Sequence, residues 1–508
     1  FVLWALMRAA SPDISGTEKP MEMAFINAIL NSSSFPPFDP WLSGYAISYY
    51  YFGYVMVALL TSISGVLPSV AFNLAVALWF AMTALGAYVV LYALLYHWRK
   101  NRGGSETQAQ SLSLAWGWLA PFFILIVSNL EGFFQMLHHG NLFWYTNADG
   151  SAYSPFWEWL NIKELNVAPT PPYSFYAGGP GWWFWRASRV VQDFNFSDPF
   201  FKNHIEVIDE FPYFTYYLAD LHPHVLAMPF VLLVVGAALN IYWSRNLLTR
   251  GEGITGWIAR LFENANPPVS SLRIVQNMAR LDFWALALAL GGLSFLNTWD
   301  FPIYTGLICV VVTLIAYERE GLHWGLIELF LETGISLGIA GSLFYIPFFL
   351  GFSSQAGGFL PSLIFFTRGT FFWMMFASLL IPILAWLVAV WLDAHDTISM
   401  RRGVLIALAI IVSLWALSYI LALLISFVPV YGTMFLDGAQ GAGGASIFLL
   451  ILNSFSRRLV MPGTWLTFVV LIALVLVVLS RFGHTADNHD ARSTTRMPSS
   501  DVFVLALI

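Results

Sequence analysis

The chain has 508 residues, 58% of them hydrophobic and only 10% charged, with a mean hydropathy of +0.69. A soluble domain carries about a quarter charged residues, so this composition excludes one, and the apolar residues gather in blocks long enough to cross ~30 Å of hydrocarbon as helix. The net charge of −6 is spread over many loops and implies no nucleic-acid partner, and the single Cys309 excludes a disulfide framework or a thiolate zinc site.

No segment shows the alternation of a membrane barrel, so the expected fold class is all-α, a polytopic transmembrane helical bundle in the cell membrane. Phe1–Met7 and Val502–Ile508 read as parts of helices too short to span, which suggests a fragment of a longer protein. Spans are predicted at Val70–Trp98, Leu112–Asn129, His224–Trp243, Phe283–Leu296, Ile303–Ala316, Leu326–Leu350, Thr370–Leu392, Val404–Val428 and Trp465–Leu479. Tyr45–Val66 is apolar enough to cross, yet it contains Tyr49, Tyr50 and Tyr51, and tyrosine favours the membrane–water interface. If it lies along the surface and Ala9–Gly44 is outside, most of the 23 basic residues fall in cytoplasmic segments, as the positive-inside rule requires. The expected organisation is then 1–67, a partial helix with an external loop and surface-parallel helices; 68–129, a helical pair; 130–223, a large extracytoplasmic loop; and 224–508, the remaining spans. Further external loops are expected near Phe352–Arg368 and at the Gly-rich Leu436–Ala445. Gly256–Phe262 reads as a short amphipathic segment on the inner surface.

Polar motifs cluster on the predicted outer side. In the first loop, Thr17 followed by Pro20 reads as a helix start, and Met21, Phe25 and Ile29 recur at helical spacing. Asp13, Glu18 and Glu22 gather at its beginning, where they either serve the helix dipole or supply a general base beside an apolar surface. Pro36-Pro37, Asp39-Pro40 and Gly44 make a rigid turn. Arg186 and Arg189, in Trp182-Trp183-Phe184-Trp185-Arg186-Ala187-Ser188-Arg189, suit an anionic headgroup under an aromatic belt, or plain interfacial anchoring. Asp220-Leu221-His222-Pro223-His224 stands just before a span and could take a divalent ion, bond a phosphate, or serve structure alone. Asp300, in Asn297-Thr298-Trp299-Asp300-Phe301-Pro302, faces the site or caps the next helix, the cap being favoured. Glu328 and Glu332 lie four apart on an apolar segment with no evident basic partner, the pattern of a proton or solute path.

Glu18-Lys19-Pro20-Met21-Glu22, Asp39-Pro40-Trp41, Tyr49-Tyr50-Tyr51-Phe52-Gly53, Asp220-Leu221-His222-Pro223-His224 and Asn297-Thr298-Trp299-Asp300 together resemble the YYY-domain membrane proteins, across most of the chain. More loosely, Glu18 before an amphipathic segment, Pro36-Pro37 before an interfacial one, and the long loop are similar to the GT-C glycosyltransferases. The GT-C loop often carries adjacent acids, whereas Thr17 precedes Glu18 here. The resemblance implies a GT-C-like fold and transfer of sugar from a polyprenyl-phosphate-linked donor at the extracytoplasmic face. Glu18, then Asp13 or Asp39, would be the catalytic base. Arg186, Arg189, Asp220, His222, His224, Tyr50 and Asp300 would bind substrate, with a possible divalent metal ion. Glu18, Asp39, Asp220 and His222 are expected to converge on one cavity. The alternatives are a transporter using Glu328 and Glu332, and a non-catalytic subunit of a membrane complex.

Overall fold

The computed structural model describes residues 1–175, 183–194, 204–245, 250–263, 266–353, 363, 365–392, 399–430, 432–433, 436, 446–483 and 499–507. Arg492, Arg496, Trp182, most of the Gly-rich loop and much of Phe352–Arg368 lie outside the described residues. The described chain is helical apart from two short antiparallel ladders, Tyr145–Thr146 with Ala152–Tyr153 and Gln192–Phe194 with His204–Glu206. It forms two compact units. One comprises Phe1–Ile126, Thr215–Gln355 and Thr485–Ile508, the other Val127–Phe214 and Ala356–His484.

Among the described residues, seven helices are long and apolar enough to cross a membrane: Pro68–Asn101, Pro223–Ser244, Asp300–Glu320, Gly325–Phe344, Gly369–Leu392, Met400–Ser426 and the stretch Gly463–Ser480. Their starts are written in the sequence, since Pro68 and Pro223 occupy first turns and Ser399 accepts from the Arg402 amide. In Gly369–Leu392 and Met400–Ser426 only 17% of the most apolar window is buried. Leu405, Ile406, Val412, Leu414, Ile420 and Leu424 therefore face outward along one helix, an apolar surface that suits lipid and would drive aggregation in water.

Two of the expected spans differ. Leu112–Asn129 is not one helix: it is divided between Glu106–Trp116 and Leu119–Leu125. The break falls at Gly117, where a side chain would meet the Ser113 carbonyl and the Tyr88 ring, and Pro121 lacks the amide that would continue the ladder. The expected Phe283–Leu296 becomes Leu281–Leu296, 16 residues or roughly 24 Å, and Tyr45–Val66 contains the 13-residue helix Phe52–Ser64, roughly 20 Å. Both fall short of ~30 Å.

Close crossings hold the first unit together. A Cβ on Gly53 would come within 2.3 Å of Leu226, so glycine lets the helix that follows the tyrosine triplet abut Pro223–Ser244. A Cβ on Gly291 would be equally close to the Gly341 carbonyl, and there Leu281–Leu296 meets Gly325–Phe344 backbone to backbone. Tyr51 packs edge-on to Phe295 at 4.6 Å, and Tyr50 faces Phe352 at 5.2 Å. In the second unit, Trp157, Leu160, Ile162, Leu165, Val190, Phe371 and Met374 form a core.

Glu328 and Glu332 do have partners, contrary to expectation. Arg273 donates to Glu332 at 2.7 Å, and the amides of Ile254 and Thr255 donate to Glu332 and Glu328 at 2.7 and 2.6 Å. The two acids thus receive the N-terminus of Ile254–Phe262, a helix with no buried residue and an exposed stripe of Ile254, Ile258, Leu261 and Phe262. Arg273 is 59 residues from Glu332 and in a different element, so sequence spacing hides the partnership.

Candidate functional site

The site lies in the first unit, where the segment 17–22 is laced to the segment 218–222. The first loop reaches it through Gly16 and Thr17, both at positive φ (73° and 50°), and Glu18 then caps the helix Lys19–Asn31. The Thr17 hydroxyl donates to Asp220 Oδ1 at 2.6 Å, Lys19 Nζ to the Leu218 carbonyl at 3.0 Å, and the Leu221 amide to Glu22 Oε2 at 2.8 Å. Glu18 Oε2 stands 3.4 Å from His222 Nε2. On the far side, Ala219 holds φ at +66°, which turns the chain so that Asp220 faces the first loop. A left-handed alanine is strained, and four polar contacts compensate for it.

Two helix N-termini therefore meet, because His222 is the capping residue of Pro223–Ser244 as Glu18 is of Lys19–Asn31. Each end carries a partial positive charge, which favours carboxylates or a bound anion. The acids differ in access. Glu22 is fully buried and Asp220 is 1% exposed, whereas the Glu18 side chain is 47% exposed. Burial pushes the Asp220 carboxyl above its ordinary range, against the opposing pull of the Thr17 hydrogen bond and of the charges on His222, Lys19 and Arg8. Glu18 is the acid a substrate can touch.

Arg8 was invisible in the sequence as a site residue. It is 7% exposed at the end of the helix Val2–Ala10, and its Nε donates to Asn73 Oδ1 at 2.9 Å. Asn73 in turn donates to the Pro12 and Ser69 carbonyls, which ties the first loop to Pro68–Asn101. Arg8 Nη2 has no hydrogen-bond partner among the described residues, and its charge is felt by Asp13 and Asp220. A lone arginine beside an apolar run was the available signal. Tyr54, four residues past Tyr50, is fully buried within reach of the charges of Glu22, Glu18 and Asp220.

The structure thus brings Glu18, Asp220 and His222 together, with His224 at a ring-centroid distance of 5.4 Å from His222 and 3.4 Å from the Thr215 hydroxyl. Of these groups, His222 and His224 each offer a ring nitrogen that could ligate a divalent ion. Asp13 stands beside Arg8 in the same loop. Asp39 closes its own turn, accepting from the Trp41 and Leu42 amides at 2.7 and 2.9 Å. Tyr50 packs against Tyr49 and Phe352. Asp300 is the first residue of its helix and accepts from Asn297 at 3.2 Å. Arg186 and Arg189 belong to the second unit, where Arg186 pairs with Glu164, and Arg189 pairs with Glu206 and lies 3.7 Å over the Trp185 ring.

Seven apolar helices of crossing length with outward apolar faces, and charged groups gathered at helix ends, define a multi-pass membrane protein. The chain belongs to the family described as uncharacterized membrane protein (DUF2298), whose model matches residues 1–498. No curated protein and no solved structure matches the chain.

Proposed function

We propose that the protein is a membrane glycosyltransferase of GT-C type, related to the YYY-domain proteins, that takes a sugar from a polyprenyl-phosphate donor at the extracytoplasmic face. The observation that carries this reading is the meeting of Glu18 and His222 at two helix N-termini, with Glu18 accessible and the charges of Arg8 and Lys19 felt at neighbouring Asp220. The Glu18 carboxylate takes the proton of the acceptor hydroxyl as that oxygen bonds to the anomeric carbon. The bond from that carbon to the phosphate oxygen breaks, and the lipid phosphate leaves with the electron pair. Helix N-termini and the Arg8 guanidinium favour the charge that builds on it. His222 holds Glu18 in place, and buried Asp220 and Glu22 fix the segment that carries His222. In this reading Lys19, and buried Arg8 through the field of its charge, serve the phosphate, while Arg186 and Arg189 pair with Glu164 and Glu206.

The transporter alternative needs acids along a path through the bundle. Glu328 and Glu332 instead receive the end of a short helix. Transfer of radiolabelled sugar from polyprenyl-phosphate donors by purified protein in liposomes tests the proposal. The intact protein is expected to transfer, and Glu18→Gln to lose roughly 10²- to 10⁴-fold in rate while folding normally. Unchanged transfer by Glu18→Gln rejects Glu18 as base, and no transfer from any donor by intact protein rejects the enzyme.

A further inference from the structure

The end of Pro68–Asn101 packs against Glu106–Trp116 across a short turn, and an open groove of about 700 Å³ runs along the pair. Ser105 fixes the turn, because its side chain and that of Gln108 cap the second helix reciprocally. The lining changes character along its length. Arg99, Thr107, Gln108 and Ser111 form the polar part, and Leu112 and Trp116 continue it as apolar wall, with Trp98 from the first helix. From Thr107 to Trp116 the helix rises roughly 14 Å. A headgroup layer takes about 5 to 8 Å on each side of the hydrocarbon, so this polarity gradient matches the depth of a lipid from its phosphate to its first methylenes.

The polar part is cationic. Arg99 is half-buried and makes one hydrogen bond among the described residues, to the neutral Gln108 Oε1 at 3.1 Å. Arg102 lies 4.6 Å over the Trp98 ring. Among the described residues no carboxylate lines the groove, and neighbouring Glu106 is already engaged by Tyr96, Gln110 and Lys100. A phosphate therefore meets an uncompensated guanidinium, whereas the ammonium of a zwitterionic headgroup meets like charge and no free carboxylate. The groove also stands where a membrane surface is expected. Pro68–Asn101 has 34 residues, roughly 51 Å, so about 20 Å of it extends beyond ~30 Å of hydrocarbon. Tyr88, Tyr92 and Tyr96 follow one another toward this end at ring-centroid distances of 6.0 and 6.4 Å, and Trp118 joins Tyr88 at 4.8 Å. Such aromatic girdles gather at the membrane–water interface.

We propose that this groove is a binding site for one anionic glycerophospholipid, with its phosphate on Arg99 and an acyl chain along Leu112 and Trp116. Basic residues at the membrane end of a spanning helix recognise such headgroups, and the groove adds a wall for the chain. The site shares no residue with the one around Glu18 and goes beyond the transferase reading without resting on it. Native mass spectrometry of the purified full chain in detergent, titrated with dioleoylphosphatidylglycerol or dioleoylphosphatidylcholine, tests it. One phosphatidylglycerol per chain is expected to bind about tenfold or more tightly than phosphatidylcholine, and Arg99→Ala should abolish that preference. Arg260→Ala, at an exposed arginine elsewhere in the first unit, should leave it unchanged. The proposal is overturned by equal affinity for the two lipids, by an unchanged preference in Arg99→Ala, or by an equal loss in Arg260→Ala. Displacement of the lipid by millimolar sodium phosphate also overturns it, since the site would then be one for a free anion. Should Arg99→Ala fail to fold, Ser111→Glu sets a carboxylate at an exposed position of the polar part, and undiminished phosphatidylglycerol binding in that variant overturns the proposal. Failure of sugar transfer bears on Glu18 alone, and failure of lipid discrimination bears on Arg99 alone.

Discussion

At the scale of residues, burial separates acids that look alike in the sequence. Glu18 and Glu22 are one helical turn apart, yet one reaches solvent and the other accepts from the Leu221 amide in a fully buried position. Glu22→Ala leaves that amide without its acceptor, so it is expected to cost about 1 to 3 kcal/mol and lower the thermal midpoint, whereas Glu18→Gln should leave the midpoint almost unchanged. Differential scanning fluorimetry of the two variants in one detergent checks this, and equal midpoints would contradict the assigned burial. A second buried acid, Glu131 of the second unit, is pushed up to about 8 by desolvation, with Arg186 opposing. Its folded form therefore keeps a proton that the unfolded chain releases near the ordinary carboxylate value of ~4.5, so its contribution to stability falls as pH rises between about 5 and 8 and is level beyond. Glu131→Gln stays neutral throughout. It should flatten the fall in thermal midpoint over that window and raise the midpoint at pH 8, and a variant whose pH profile matched the parent would refute the assignment. The block Asp220-Leu221-His222 was legible as polar residues beside a span, but its partners lay two hundred residues away. Arg8 escapes a reading of the sequence, and Glu22 reads there as a dipole partner or a base, because their contacts with Asn73 and Leu221 are encoded by no local spacing.

At the scale of elements, most of the apolar helices were legible because hydropathy alone sets them, and the errors came where backbone chemistry overrides it. Leu112–Asn129 has the composition of a span, but Gly117 and Pro121 break it. The tyrosine triplet reads as an interfacial anchor, yet the residue that decides the packing is Gly53, pressed on Leu226. Gly53→Leu should separate Phe52–Ser64 from Pro223–Ser244, cost upward of 1 to 3 kcal/mol by overpacking, and lower the yield of folded protein. Gly65→Leu, with nothing within 4 Å of its Cβ position, is strained only by its positive φ and should be milder. Yields ranked the other way would remove the crossing as an element of the fold. The helix Ile254–Phe262 makes a similar point, since its amphipathic stripe was visible but its anchorage to Glu328 and Glu332 was not. Removing one partner of the Arg273–Glu332 pair leaves the other poorly solvated. Glu332→Gln should therefore speed amide hydrogen exchange across 254–262 more than across Asp300–Glu320. Equal exchange in variant and parent would return Glu332 to the pool of path residues that a transporter requires.

At the scale of the whole molecule, the orientation of the chain follows from its charges and from the length of one helix. Phe52–Ser64 spans roughly 20 Å if straight, too little to cross ~30 Å of hydrocarbon, so the chain that leaves it returns on the side from which it came. With that segment held at one surface, Pro68–Asn101 carries the chain to the face where Arg99, Lys100 and Arg102 emerge, a basic cluster of the kind that stays in the cytoplasm. The first loop is then expected on the opposite face, together with Glu18 at the start of Lys19–Asn31. The divided stretch Glu106–Leu125 decides the side on which the next loop emerges, because two helices of 11 and 7 residues have to bring the backbone back across. Laid end to end they reach roughly 27 Å, close to the hydrocarbon thickness, with the turn at Gly117 inside the bundle instead of in lipid. If they do cross, Ser151 is extracytoplasmic. If they do not, Ser151 shares the cytoplasm with Ser105. Cysteine placed at Ser105 or Ser151, in a chain whose buried Cys309 is replaced by serine or alanine, separates these cases. A membrane-impermeant maleimide added to intact cells is expected to label the Ser151 position and spare Ser105 until the membrane is permeabilised. Labelling of Ser105 but not Ser151 inverts the orientation, and equal protection of both places the broken helix pair on one side of the bilayer.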